Sequence, residues 1–233
     1  DIAVHSLKDV PINLASGLSI HCVFKRASSS DLIVLKEKYT DFKKTLTIAT
    51  SSIRRKTQWL NKYPNHKIVS LRGNVESRIQ KLEKNNWDGA IFAKAGLDRL
   101  SILPENKLKL NWMVPSAAQG AVAVTSRCNE NELNKLLKSI SCSSTFHCVS
   151  QEREFLKLMN GGCSAPISAF AKIKEDKLIF KASVSSLDAK SIITVEDTFD
   201  YDDLKSGEKM FEMILKKGGE KILKELKKEN EKN

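Results

Sequence analysis

The sequence has 233 residues, 41% of them hydrophobic, which is enough to bury a core and, at roughly 100 to 150 residues per domain, to form two or three small domains. It has no run approaching the roughly 18 consecutive apolar residues of a membrane-spanning helix, and its start lacks the pattern of a signal peptide. The net charge of +11 favours an anionic partner, which can be nucleic acid, phosphate or a small molecule rich in carboxylates.

The cysteines argue against both a disulfide framework and a metal site. They are odd in number, widely spread and without a CxxC pair. They are Cys22, Cys128, Cys142, Cys148 and Cys163. We therefore expect a reducing compartment, the cytoplasm or a plastid if the organism is eukaryotic, and no bound metal.

The first residues, DIAVHSLKDVP, predict a strand half-buried through Ile2 and Val4 that enters a polar turn closed by Pro11. Because the chain opens on a strand and does not begin with Met, we expect that an N-terminal piece is missing. The HSLKD stretch supplies a hydroxyl, a base and an acid. It predicts that Asp9 lies at a domain edge.

Residues 45–96 alternate between strand-like and helix-like patterns and predict a βαβαβ unit with a parallel sheet. The predicted strands are 45–50, 66–72 and 88–96, and the predicted helices are 52–63 and 74–86. Each strand ends just before polar residues, at the carboxyl edge where open α/β folds bind ligands.

Arginine is concentrated at that edge. Only eight of the 39 basic residues are Arg, and five of the eight are Arg54, Arg55, Arg72, Arg78 and Arg99. In a chain that otherwise uses Lys on its surface, the planar guanidinium fork indicates a site for carboxylate or phosphate.

Two stretches repeat an arrangement suited to an anion. In SSIRR, the hydroxyls of Ser51 and Ser52 and a helix N-terminus lie beside two arginines. In LRGNVESR, Gly73 allows close backbone approach and Asn74 is a candidate N-cap between two more arginines. A purely structural helix start is the alternative interpretation.

The rest of the chain predicts a return to another domain and then a small α+β domain. A loop with Pro115 and Gly120 leads to an apolar strand. The later predicted elements are helices at 129–140 and 150–160, strands at 167–175 and 177–187, and an amphipathic helix from 208 to the C-terminus. Cys163 follows two glycines in a turn that can expose its thiol, with inert packing as the alternative.

Taken in order, DIAVHSLKDVP, TSSIRRKTQ, SLRGNVESR, AKAGLDRL, PSAAQGA and GGCSAP resemble the successive signatures of the porphobilinogen deaminases. The resemblance implies two α/β domains like those of type II periplasmic binding proteins and a C-terminal α+β domain. Domain 1, which is incomplete, would comprise residues 1–28 and 118–140, domain 2 residues 29–117, and domain 3 residues 141–233.

The resemblance also implies the activity. Four porphobilinogen molecules would be joined head to tail into hydroxymethylbilane with release of ammonia, in haem or chlorophyll biosynthesis. Cys163 would carry a dipyrromethane cofactor through a thioether bond, and Asp9 would be the catalytic carboxylate. The binding residues for cofactor and substrate would be Ser6, Lys8, Thr50, Ser51, Ser52, Arg54, Arg55, Arg72, Gly73, Asn74, Arg78, Arg99 and Gln119.

Some features depart from the family pattern. PSAAQGA and KRASSSD differ from many relatives in ways expected to be peripheral to the chemistry. The absent beginning is more serious, because relatives carry the first strand and helix of domain 1 there. We expect this chain alone to be inactive and the enzyme to be a monomer that binds neither nucleic acid nor membrane.

Two other classes of protein are compatible with the sequence. An anion-binding protein of the same architecture would hold its ligand without transforming it, and Cys163 would then be unmodified. A nucleic-acid-binding protein is suggested by the isoelectric point of 9.4, but no zinc-finger, RNP or helix-turn-helix signature is present.

Overall fold

The computed structural model describes residues 1–38, 40–160 and 165–230. The predicted Gly-Gly-Cys turn with Cys163 therefore lies outside the described residues. Within these ranges the chain forms three sheets. None of the helices in the described ranges combines the length and the apolar composition needed to cross a bilayer.

The strands and helices follow one another along the chain. They are β1 (Ile2–Ser6), a 3-10 turn (Leu7–Asp9), β2 (Leu18–Val23), β3 (Asp31–Leu35), β4 (Thr47–Ala49), α1 (Ile53–Lys62), β5 (Lys67–Val69), α2 (Val75–Lys84), β6 (Gly89–Ala93), α3 (Lys94–Arg99), β7 (Lys107–Lys109), β8 (Val122–Arg127), α4 (Asn131–Ser139), α5 (Ser143–Leu158), β9 (Ile167–Lys174), β10 (Lys177–Ser185), β11 (Ile192–Asp200), α6 (Ser206–Ile214), a π-type turn (Leu215–Gly219) and α7 (Glu220–Asn230).

The first sheet has the order β1-β8-β2, with antiparallel neighbours. The predicted opening strand is confirmed, but its predicted half-burial is wrong, since Ile2 and Val4 are 51% and 61% exposed. Leu137 of α4 packs on Cys22 and Val124 of the other two strands, and in the described part of the chain this cluster does not extend to β1.

The second sheet has the order β5-β4-β6-β3-β7 and contains the predicted βαβαβ unit. β4 pairs in parallel with β5 and β6, which confirms the predicted parallel sheet. β3, which the sequence analysis did not identify, is antiparallel to β6 and β7, and all five of its residues are buried. One antiparallel strand within such an order is the arrangement expected of a type II periplasmic-binding-protein-like domain, so the predicted fold class is confirmed.

The third sheet, β11-β10-β9, is antiparallel and packs against α5 and α6 around Phe155, Phe180 and Met210, as a small α+β unit. Several boundaries differ from the prediction. α5 begins at Ser143 rather than at residue 150, and β11 was not predicted. The C-terminal helix is not continuous, because Gly218, with a φ of +90°, interrupts it. Glycine adopts this left-handed conformation without a steric penalty.

Each sheet takes its strands from one of the predicted domain ranges. β1, β2 and β8 lie in 1–28 and 118–140, the five strands of the second sheet in 29–117, and the last three in 141–233. The boundaries between the domains remain a prediction.

Arg26, in the segment between the first two sheets, is held by a carboxylate of the third unit. Its Nη1 and Nη2 donate to Glu152 Oε1 and Oε2 at 2.5 and 3.1 Å, and its Nε donates to the Gln119 carbonyl at 2.9 Å. Glu152, fully buried in α5, also accepts from the backbone N–H groups of Ala118 and Ala171. Two segments run between the first two sheets, and the Arg26–Glu152 pair bonds both of them to the unit that contains the third sheet.

We expect Glu152→Ala to lower the free energy of unfolding by about 3–5 kcal/mol, because it leaves the Arg26 guanidinium without its buried counter-ion. The matched control is Glu154→Ala in the same helix. Glu154 pairs with Lys157 at 3.4 Å near the surface. Removing the Glu154 carboxylate is expected to lower the free energy of unfolding by under about 1 kcal/mol. Urea unfolding measures both, and equal losses would contradict the role given to the buried pair.

Candidate active site

A cleft of about 280 Å³ lies at the carboxyl edge of the second sheet. Leu156 of α5 and Ile167 of β9 line its other side, so all three units contribute to its wall. Nine of the residues predicted for the site line it. They are Lys8, Asp9, Thr50, Ser51, Ser52, Arg54, Arg55, Arg78 and Gln119.

A second, smaller cavity of about 120 Å³ shares part of this wall. Lys8, Arg55, Arg78 and Gln119 line both spaces, and two further predicted residues, Ser6 and Arg99, line the second. The structure therefore gathers eleven of the predicted side chains around two adjoining spaces.

Arg72, Gly73 and Asn74 do not line either space and are exposed. Asn74 is the N-cap of α2, as predicted, because its Oδ1 accepts from the backbone N–H of Ser77 at 2.8 Å. Gly73 has a φ of +117°, and a Cβ there would lie 2.3 Å from Ser77 Oγ. The structure thus gives this turn a local role, and its part in binding a ligand stays a prediction.

The hydroxyls of the SSIRR stretch also have local partners. Ser52 Oγ accepts from the backbone N–H of Arg55 at 3.4 Å and caps α1. Ser51 Oγ accepts from the backbone N–H of Leu71 at 2.8 Å, which ties the ends of β4 and β5 together. These bonds fix the cleft edge in place.

Asp31, at the start of β3, organises the floor of the cleft. Its Oδ2 accepts from Arg54 Nη1 at 2.8 Å, and its Oδ1 accepts from Arg55 Nε and Nη2 at 3.1 and 2.8 Å and from Gln119 Nε2 at 3.0 Å. Arg54 and Arg55 are buried and also donate to the backbone carbonyls of Val114 and Ile91. The two arginines predicted to grip a ligand are thus already bound on one side by the protein.

The sequence analysis missed Asp31. The available signal was an acid that opens an apolar strand, DLIVL, in a chain where the nearby helix carries two adjacent arginines. A buried charge is retained only when it is paired. This pattern therefore predicts a cationic partner for Asp31, but it does not identify the residue.

Opposing effects act on the Asp31 carboxyl. Burial by itself would raise its pKa, but the Arg54 and Arg55 guanidinium groups and the hydrogen bonds lower it from 3.8 to about 2. Asp31 is therefore ionised at neutral pH and offsets part of the positive charge beneath the cleft.

The environment of Lys8 disfavours the charged form of its side chain. Burial, followed by the positive charges of Arg55 and Arg54, lowers its pKa, while Asp9 and Asp31 act in the other direction. An anion bound in the cleft would favour the protonated form of Lys8, since an opposite charge nearby stabilises the charged amine.

Two buried polar atoms in the wall have no hydrogen-bond partner among the described residues, Arg78 Nε and Gln119 Oε1. One is a donor and the other an acceptor. Leaving such a group unpaired costs about 1–3 kcal/mol.

The two segments that depart from the family pattern cross directly behind the cleft. KRASSSD carries Arg26 and Asp31, and PSAAQGA carries Ser116, which lines the cleft, and Gln119. They are also in close contact, because Gly120, with a φ of +87°, has no room for a Cβ, which would lie 2.6 Å from the Ser28 carbonyl oxygen. Both segments therefore lie next to the site.

We expect Asp31 to make the protein acid-sensitive. A carboxyl whose pKa is lowered on folding stabilises the fold above its unfolded value, and this stabilisation is lost as the pH falls from 3.8 towards about 2; it amounts to about 2 kcal/mol. Asp31→Asn is expected to be less stable than the parent at pH 7 and to lose less stability on acidification. Urea unfolding at several pH values measures this, and parallel pH profiles would contradict it.

Solved structures similar to this chain include the second substrate-binding domain of an amino acid ABC transporter from Streptococcus pneumoniae, with a TM-score of 0.38 and 17% identity over 52% of this chain and 56% of that one. Another is the BvgS VFT2 domain of Bordetella pertussis, with a TM-score of 0.35 and 14% identity over 58% and 60% of the two chains. This likeness is too weak to support a conclusion about ligand or function.

Two family models match the chain. Residues 1–135 match the dipyromethane cofactor binding domain of porphobilinogen deaminase, and residues 146–228 match its C-terminal domain. The porphobilinogen deaminase of Listeria innocua is 39% identical over 97% of this chain and 75% of that protein, and that of Geotalea uraniireducens is 35% identical over 97% and 72%. The chain belongs to the porphobilinogen deaminase family, the transferases that convert porphobilinogen into hydroxymethylbilane in tetrapyrrole biosynthesis.

Proposed function

We propose that the basic cleft is the site at which porphobilinogen units are bound and condensed, four of them in sequence, with loss of ammonia at each step. The observation that carries this proposal is the convergence of Lys8, Arg54, Arg55 and Arg78 with one exposed carboxylate, Asp9, in a single cleft. This is the charge pattern that an anionic substrate with a developing positive centre requires.

The cationic side chains suit the acid groups of the substrate. Each porphobilinogen carries two carboxylates, so the growing product is a polyanion. Arg78 lines the cleft, and an anion bound beside Lys8 would favour the protonated form of its amine. Arg54 and Arg55, fixed by Asp31, are preorganised and lose little side-chain freedom on binding.

Asp9 is proposed as the catalytic carboxylate. It ends the 3-10 turn that follows β1, and Lys8 beside it is close enough to Arg55 and Asp31 to interact with both electrostatically. A carboxylate in this position stabilises the cationic substrate fragment left by departing ammonia, because opposite charges attract strongly where water is partly excluded.

A dipyrromethane cofactor, bound to Cys163 through a thioether, fits the same cleft. Cys163 lies outside the described residues, but Ala165, two positions later, lines the cleft, and so does Leu156 of the preceding helix. Lys8, Arg55 and Arg78 would hold the cofactor's carboxylates. When bound, the cofactor supplies the primer to which substrate units are added.

We propose that the enzyme acts as a monomer in a reducing compartment, the cytoplasm or a plastid. Cys22, Cys128, Cys142 and Cys148 are free thiols, which is the state that a reducing compartment maintains.

Asp9→Ala is expected to retain the fold and to lose turnover of porphobilinogen by about a hundredfold or more, because stabilisation of the cation is removed. The assay uses the enzyme purified as its native gene encodes it, with circular dichroism as the test of folding. Asp202→Asn is the control, since Asp202 is an exposed acid far along the chain in the third unit. Normal turnover by a folded Asp9→Ala protein would contradict the assignment.

A further inference from the structure

Helix α1 carries a buried glutamine one turn after the first of the two cleft arginines. Gln58 lies four residues after Arg54 and is buried, so the two side chains share one face of the helix. Both donate to the Val114 carbonyl oxygen, Gln58 Nε2 at 3.0 Å and Arg54 Nη1 at 2.9 Å. The glutamine and the arginine are therefore anchored at the same point.

The partners of the Gln58 amide fix its orientation. Its Oε1 accepts from the backbone N–H of Val114 at 2.8 Å, and its Nε2 donates to the Val114 carbonyl and to Ser168 Oγ, both at 3.0 Å. A backbone N–H only donates and a carbonyl only accepts, so the amide cannot be reversed. Its nitrogen therefore faces Ser168.

Ser168 belongs to the opposite wall of the cleft. It is buried in β9, and the residue before it, Ile167, lines the cleft. Cys163, the proposed attachment point of the cofactor, lies five positions earlier in the chain. The Gln58–Ser168 hydrogen bond thus joins the helix that carries the cleft arginines to the strand that follows the tether.

Two other hydrogen bonds connect the same parts of the molecule. Asn61 Nδ2 of α1 donates to the Ala189 carbonyl oxygen at 2.9 Å, and the backbone N–H of Ala169 donates to the Pro115 carbonyl oxygen at 3.2 Å. Both of these end on backbone atoms. The Gln58–Ser168 bond joins two side chains, so substitution at either end removes it.

We propose that Gln58 is a positioning residue that, through Ser168, holds the wall following Cys163 at a set distance from the arginines and so sets the rate of unit addition. The proposal rests on the proposed function of the cleft. A tethered reactant adds a unit quickly only when its reacting end is held against the bound substrate, and a displacement of about 1 Å can cost up to about a hundredfold in rate.

The test measures the rate constant of each unit addition in cofactor-loaded enzyme expressed from its full native gene. Rapid quenching followed by intact-mass spectrometry counts the porphobilinogen units added with time. These rate constants do not depend on how much of the sample is folded, so they separate positioning from loss of stability. We expect Ser168→Ala to lower them about fivefold.

The substrate concentration that gives half the maximal rate is expected to stay within about twofold of the parent in Ser168→Ala, because Arg54 and Arg55 keep their bonds to Asp31. A change confined to this concentration, with the rate constants of addition intact, would overturn the proposal.

The matched control is Ser183→Ala. Ser183 pairs with Ser168 in the register of β9 and β10 and is equally buried, and its Oγ has no hydrogen-bond partner among the described residues. We expect its rate constants to stay within about twofold of the parent. Unchanged rates in Ser168→Ala, or an equal loss in Ser183→Ala, overturn the proposal while the cleft remains the site of condensation. A parent enzyme that adds no units overturns the proposed function as well.

Gln58→Met removes the same bond from its other end at similar size. Since both changes break one contact, we expect the double variant to be as slow as Gln58→Met alone, within about twofold. Losses that multiply would show that the two residues act separately and would overturn the proposal. If one single variant does not fold, the other is compared with Ser183→Ala in the same way.

Discussion

The site depends on one buried carboxylate. Asp31 is fully buried at the start of β3 and accepts hydrogen bonds from Arg54, Arg55 and Gln119, all of which line the cleft. Two adjacent buried guanidinium groups would repel each other without it, since each buried charge needs a partner. The carboxylate thus allows a dense cationic surface to exist before any anionic ligand arrives.

The same network reaches the third sheet. Gln119 bonds to Asp31 through its side chain and accepts from Arg26 through its carbonyl, and Arg26 pairs with Glu152 of α5. A chain of hydrogen bonds therefore links the cleft floor to the C-terminal unit. The position of the unit that contains Cys163 is set by the same contacts that orient the cleft, so a tethered cofactor would enter a site whose geometry is already fixed.

Local patterns predicted much of this molecule and missed what depends on contacts between distant residues. The period of apolar residues identified the βαβαβ unit, and the sparing use of Arg located the cleft edge. No local pattern shows that Arg54 and Arg55 share Asp31, because the three residues meet only when β3 is inserted antiparallel in the sheet. The exposure of Val4 was missed for a similar reason, since it depends on where α4 packs.

The chain belongs to the porphobilinogen deaminase family, and we propose that its cleft works on a cofactor tethered at Cys163. The most direct measurement is an intact-mass spectrum of the denatured protein, followed by mapping of any added mass to a peptide. We predict an adduct with the mass of a dipyrromethane on the peptide that contains Cys163, and its loss in Cys163→Ser. An unmodified Cys163 thiol in enzyme that turns over porphobilinogen would contradict the account.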